Sequence, residues 1–312
     1  MFGRKVLFPF AIACISSVVV VACGGGAASG PGADTPAATA GDSESGGAHK
    51  PRGEGDLDSL DALRAKLKSP GLKELDLAAK GWGAELGKLL GSADSLSELT
   101  KLDVSDNDLG PDGARGLLGS SQLGNLTVLD LGGNEIGDDG AAALSSGKLE
   151  HLTTLNLSGN GIGASGTAAL AKSRGYPNLS SLDLSMNPIG EGGVKALSSG
   201  SLGKLTDLFL LGSEIGAEGA KALAKTSLKL KVLALSGNSL GDDGVKALAG
   251  SPKLSSLSTL DLSANGIGDA GAKALAASPH LKGLSKLEMF ANDLSAAGKS
   301  ALSKRFGDAV KL

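Results

Sequence analysis

The chain repeats itself, and no other feature constrains its fold as strongly. Aligning on the asparagine that follows each Leu-x-Leu gives Asn107, Asn134, Asn160, Asn187, Asn238, Asn265 and Asn292, with Ser213 in the same place between Asn187 and Asn238. The spacings are 27, 26, 27, 26, 25, 27 and 27 residues. A degenerate earlier copy carries Leu72, Leu75 and Leu77, with Lys80 where the asparagine would stand. A period of this size marks a strand-plus-helix unit that must stack on its neighbours, because one unit cannot bury its own apolar face. Both ends of such an array need caps. Leu57, Leu60, Leu63 and Leu67, stopped by Ser69-Pro70-Gly71, predict an amphipathic helix at one end. Leu302 and Phe306 predict a core-facing stripe at the other, with Lys299, Lys304 and Arg305 in water.

The unit reads L-x-x-L-x-L-x-x-N-x-[IL]-G-x-x-G-x-x-A-L, most fully between Leu257 and Leu275. Alternation puts Leu260 and Leu262 on one face of a strand and Asp261 on the other. The asparagine amide can bond unpaired backbone groups of adjacent coils. Ile267 fills the core, and Ala272 and Leu275 share a helix face. Acidic residues crowd the first helical turn (Asp138, Asp139, Glu191, Glu218, Asp242, Asp243, Asp269), which suits the helix dipole. Two stretches, Gly161–Gly166 and Gly266–Gly271, spell the dinucleotide fingerprint G-x-G-x-x-G. The repeat itself supplies their second and third glycines, through a turn into the helix and close helix-to-sheet packing. The first occurs only where the residue after the asparagine is also glycine. Gly298-Lys299-Ser300 ends like a P-loop, but Asp293 stands where that motif needs glycine. No nucleotide site and no cofactor are expected.

These residues resemble the leucine-rich repeat, specifically its ribonuclease-inhibitor-like class, over about residues 72–302. The resemblance implies an α/β horseshoe solenoid with a parallel inner sheet and outer helices. It also implies a non-enzymatic scaffold that binds a protein through the concave face and flanking loops. Units of 25–27 residues are slightly shorter than is common in that class, so shorter helices are expected. Ran GTPase-activating proteins share the class, which makes GTPase activation an alternative. A structural cell-envelope protein is another.

The first 22 residues read as a targeting segment. Arg4 and Lys5 precede an apolar run, Val6 to Val21, of about 16 residues, short of the roughly 20 that span a bilayer. Its close, Val20-Val21-Ala22-Cys23, resembles a bacterial lipobox, which implies that Cys23 is lipidated and becomes the mature N-terminus. An ordinary secretory signal is the alternative. Acyl chains on Cys23 would anchor the protein stably. Residues 24–56 are Gly-, Ala-, Ser- and Pro-rich and predict a flexible tether reaching roughly 30 Å. A lipid-anchored chain in the bacterial envelope follows, at the outer membrane by the rule for the residue after the cysteine, here Gly24. Residues 57–71 form the predicted N-terminal cap, and 72–312 hold about nine units with a C-terminal cap. GTPase activation would place its substrate on the wrong side of that membrane.

Composition excludes other classes. A net charge of −3 and 3% aromatics give neither a basic footprint nor a stacking platform for nucleic acid. Removing Arg4 and Lys5 with the leader takes the charge to −5, and Cys23 is then the one cysteine. His49, His151 and His280 are not spaced as metal ligands, and no G-x-S-x-G occurs. Asp103, Asp130, Asp183 and Asp261 share one strand register and predict a solvated concave face rather than acid–base pairs. Lys195, Lys221, Lys246 and Lys273, with Arg115, share a helix register and predict a basic convex stripe.

The unit with Ser213 departs from the pattern. Positions pointing into the concavity are small or polar elsewhere: Ser105, Ser158, Ser185, Ser236 and Ser263 at one, aspartates at another. Here they are Leu211 and Phe209. Met186, Val232 and Ala234 extend an apolar patch edged by Asp183 and Asp207, the arrangement of a binding hot spot. Local packing is the competing reading. Ser213 is expected to leave a backbone group poorly paired.

Overall fold

The computed structural model describes residues 57–312. The predicted leader, the predicted lipidation site Cys23, the predicted tether and His49 lie outside those residues. A seven-residue helix, α1 (Leu60–Lys66), begins on Ser59, whose side chain accepts from the Ala62 N–H, and buries Leu63. Strands then follow at each repeat: β1 (Glu74–Asp76), β2 (Lys101–Asp103), β3 (Val128–Asp130), β4 (Thr154–Asn156) and β5 (Ser181–Asp183). They continue as β6 (Asp207–Phe209), β7 (Val232–Ala234), β8 (Thr259–Asp261), β9 (Lys286–Glu288) and β10 (Val310–Lys311). Helices alternate with them: α2 (Gly83–Gly91), α3 (Gly110–Leu118), α4 (Gly137–Ser145), α5 (Ala164–Lys172) and α6 (Gly190–Ser199). The last four are α7 (Gly216–Leu223), α8 (Gly241–Ala249), α9 (Asp269–Ala277) and α10 (Ala296–Phe306).

All ten strands form one parallel sheet in sequence order, so the chain is an α/β solenoid. Helices on one side need about 8–10 Å each and strands about 4.8 Å, which leaves the sheet on the shorter, concave side. The register stacks identical positions: Leu102, Leu129, Leu155, Leu182, Leu208, Leu233, Leu260 and Leu287 pair in turn, all buried toward the helices. Leu302 is buried and Phe306 half-buried at the C-terminal end. β10 pairs beyond them, Val310 with Leu287, a strand the repeat pattern does not show. Among the described residues, no helix is long and apolar enough to cross a membrane.

The asparagines form a continuous ladder. Asn187 donates through Nδ2 to the carbonyls of Leu157, Leu184 and Ser185 at 2.9–3.1 Å. Its Oδ1 accepts the N–H groups of Asn160 and Ile162 in the preceding unit, at 3.0 and 2.9 Å. Asn107, Asn160, Asn238, Asn265 and Asn292 donate likewise to a leucine carbonyl of the preceding unit, and Asn134 to that of Val104. Asn107 to Asn265 are all but fully buried, as satisfied amides can be.

The glycines prove more varied than one turn rule. The third glycine of the pattern meets its own unit and the preceding helix, not the sheet. A Cβ on Gly193 would fall 2.2 Å from Ile189 Cγ2 and 3.1 Å from Thr167 Cβ on α5. The second glycine takes a left-handed φ in most units, as at Gly137 (60°), but Gly163 and Gly268 are extended N-caps of α5 and α9. The carboxylate before them decides. Asp138 Oδ1 accepts from Gly163 N–H at 2.7 Å and Gly166 N–H at 2.9 Å. Asp242 Oδ1 does the same for Gly268 and Gly271, at 2.9 and 2.8 Å. Asp269 takes the N–H of Ser295 at 3.0 Å, before α10. The two fingerprint glycine turns therefore already hold an anion, supplied by the neighbouring unit, where a pyrophosphate would sit.

Candidate partner-binding face

The open face of the sheet carries three rows of outward side chains per strand. The middle row is Asp76, Asp103, Asp130, Asn156, Asp183, Phe209, Ala234, Asp261 and Glu288. Its carboxylates have a structural task. At β1 to β5 and β8 the strand is followed by a backbone N–H that the side chain two residues earlier receives. Asp103, Asp130, Asp183 and Asp261 accept from residues 105, 132, 185 and 263 at 2.8–2.9 Å, and Asn156 accepts from Ser158 at 2.9 Å.

The row is not the solvated surface that the sequence suggests. Asp261 retains 7% exposure, and Asp130 and Asp183 are partly covered, because neighbouring strands stand one strand spacing away on the concave side. Burial pushes the Asp130 carboxyl up to about 6. The Gly132 N–H and the Asn156 amide oppose that rise, and the charges of Asp103 and Asp183 add to it. Burial also raises Asp183 and Asp207, against hydrogen bonds from Ser185 and Thr206 respectively.

The convex stripe differs from its expectation too. Lys195, Lys221, Lys246 and Arg115 pair with Glu191, Glu218, Asp243 and Asp112 on their own helices, so four of the five cations of the row, all but Lys273, form ion pairs rather than a free basic surface. Among the described residues no group of three His, Cys, Asp or Glu side chains could hold a metal.

β6 interrupts the concave row. Phe209 lies in register between Asp183 and Ala234, and Asp207 between Ser181 and Val232. Phe209, Leu211 and Val232 are half-buried, Ala234 is 7% exposed and Met186 is 61% exposed. Phe209 has no oxygen to receive the Leu211 N–H, which turns to the Ser185 hydroxyl at 3.2 Å. Met186 holds a left-handed φ of 57°, where the neighbouring units place Gly159, Gly212 and Gly237. Its sulfur overlies Gly212, 2.9 Å from where a Cβ would be. Asp183 and Asp207 stand beside this cluster, so the structure does bring the six predicted residues together.

Ser213 weakens the ladder in the same unit. Its hydroxyl, with one proton, lies 3.3 and 3.2 Å from the carbonyls of Leu184 and Leu211. It does not receive the Asn187 and Ile189 N–H groups as an asparagine would, and the Ile189 N–H turns to the Asn187 carbonyl at 2.7 Å. The unpaired group expected from the sequence is thus the Asn187 N–H.

A second apolar departure escaped the sequence reading. Phe290 replaces the row's serine in the last unit and is 44% exposed, with Leu312 36% exposed past the edge strand. The same register test would have found it.

Six segments match the leucine-rich repeat family: residues 97–118, 124–145, 148–171, 177–198, 226–249 and 253–276. The interior unit left between them, 199–225, is the one that carries Phe209, Leu211 and Ser213. Among solved structures, an internalin from Listeria monocytogenes is 18% identical, over 81% of this chain and 77% of its own, with a TM-score of 0.44. No relative among curated proteins matches.

Proposed function

We propose that this chain, built of leucine-rich repeats, is a non-enzymatic scaffold that binds a protein through the concave face, centred on Phe209, Leu211, Met186 and Val232. One observation carries the reading. A single interior unit gives up both the aspartate acceptor and the ladder asparagine, the unit before it puts Met186 where its neighbours have glycine, and the result is a partly exposed apolar surface. Each departure works against stability. Apolar side chains gathered on one face and rimmed by Asp183 and Asp207 are the build of an interaction site. Cross-linking in intact cells with the full chain as bait tests this. Phe209→Ala with Leu211→Ala should lose the captured partner and leave the unfolding midpoint nearly unchanged. A markedly lower midpoint would make these residues core and the site wrong.

The proposal includes a lipid anchor at Cys23, and an envelope location at the outer membrane, on the support of the basic, apolar and lipobox-like order of the leader. Cys23→Ser should lose acyl label and leave the membrane fraction. Retention of both would end that part of the proposal.

A further inference from the structure

The apolar centre is not symmetrically surrounded. On its N-terminal side the face carries Asp183, Asp130, Asp103 and Asp76, interrupted in the middle row by Asn156. Across β3, β4 and β5 the outward positions (Val128, Asp130, Gly132, Thr154, Asn156, Ser158, Ser181, Asp183, Ser185) include no cation. The one lysine further along, Lys101 on β2, already pairs with Glu74 at 2.7 Å. On the other side the row holds one carboxylate without an ion pair, Asp261, and then Glu288, which Lys286 matches at 3.0 Å. We propose that the partner presents an extended segment in which Lys or Arg lies on one side of an apolar anchor, the anchor seated on Phe209 and Leu211 and the cations over Asp183 and Asp130. The inference rests on the concave-face reading above and adds the partner's chemistry and polarity.

Geometry sets the spacing. Asp183 is one strand from Phe209, about 5 Å, and Asp130 is three strands away, about 14 Å. An extended segment crossing the strands advances about 3.3 Å per residue. Cations are therefore placed one or two residues, and about four residues, from the anchor. Partly buried carboxylates without a cation favour such a ligand twice: a cation relieves the repulsion among Asp103, Asp130 and Asp183, and the concave walls reduce screening. Burial is the main cause of the raised Asp130 and Asp183 carboxyls, and at Asp130 alone the charges of Asp103 and Asp183 add to it.

The test pans a phage-displayed library of random 12-residue peptides over the immobilised full chain, then measures enriched synthetic peptides against variants. Enriched peptides should carry Lys or Arg at the stated distances on one side of an aromatic or aliphatic residue. Asp130→Asn with Asp183→Asn, which Asn156 shows the row accommodates, should weaken them about tenfold or more and remove their salt dependence. Enriched peptides without basic residues, or unaffected by the Asn pair, would overturn the basic partner and leave the concave-face reading standing. Enrichment indifferent to Phe209→Ala with Leu211→Ala would sink both. No enrichment above the bare support would overturn a linear partner, with the whole-protein cross-linking experiment still judging the wider reading.

Discussion

The convex and concave faces hold carboxylates at equally regular intervals, yet the two sets live in opposite environments. On the helices most acids have a complement: Glu191, Glu218 and Asp243 meet lysines, while Asp138, Asp242 and Asp269 meet the N-termini of the next helices. On the sheet, Asp103, Asp130 and Asp183 each receive one strand-end N–H and face one another. The difference follows from curvature. Outside, helices splay and side chains reach partners or water; inside, strands converge and the same charges crowd. Repetition alone therefore does not assign a role to a repeated residue.

The sharpest test of the comparison is Asp130→Asn. Folded Asp130 keeps its proton to about pH 6, against about 3.9 in an unfolded chain. A raised folded value means that its stabilising contribution is present below pH 4 and lost as pH rises through 6. The amide variant should exceed the native chain by about 1–3 kcal/mol in unfolding free energy at pH 8, the difference vanishing near pH 4. Urea titrations at both values measure it. A variant less stable at pH 8 would show that the concave row is not under electrostatic stress.

Asp138→Ala should move stability the other way. Burial alone would raise Asp138, but bonds from Ser165, Gly166 and Gly163 outweigh it and hold the carboxyl below its ordinary value. Losing the cap of α5 should cost about 0.5–2 kcal/mol. The native contribution should be lost as pH falls through the depressed folded value, so the gap between native and variant closes in acid. A pH-independent gap would mean the effect is packing, not capping by charge.

Between the two faces lies the ladder, and Ser213→Asn tests its broken rung. Restoring an acceptor for the Asn187 and Ile189 N–H groups should add about 0.5–1.5 kcal/mol. An unchanged or lower midpoint would show that the backbone at Ile189 no longer accommodates an amide. The smallest effect belongs to the convex ion pairs. Glu218→Gln with Lys221→Gln should leave the unfolding midpoint where it was, since exposed pairs are screened and both side chains stand in water. A clear loss there would erase the contrast between the faces.

The sequence by itself determined the repeat, its period, the strand and helix in each unit, the inward leucines and the asparagine ladder. Each of these follows from periodicity, and periodicity is local. It also located the one interior unit where the rules fail, because Phe209, Leu211 and Ser213 are visible only against a regular background. What it left undecided depends on neighbours 25 or more residues away. That Asp138 caps α5 is invisible in its own helix, whereas the Glu191–Lys195 pair is local to α6. The exposure of Phe290 and the pairing of β10 with β9 emerge only in the folded chain. The fate of the middle-row aspartates was likewise settled only when curvature brought adjacent strands together, since desolvation is set by the space between units and not by the residues of any one of them.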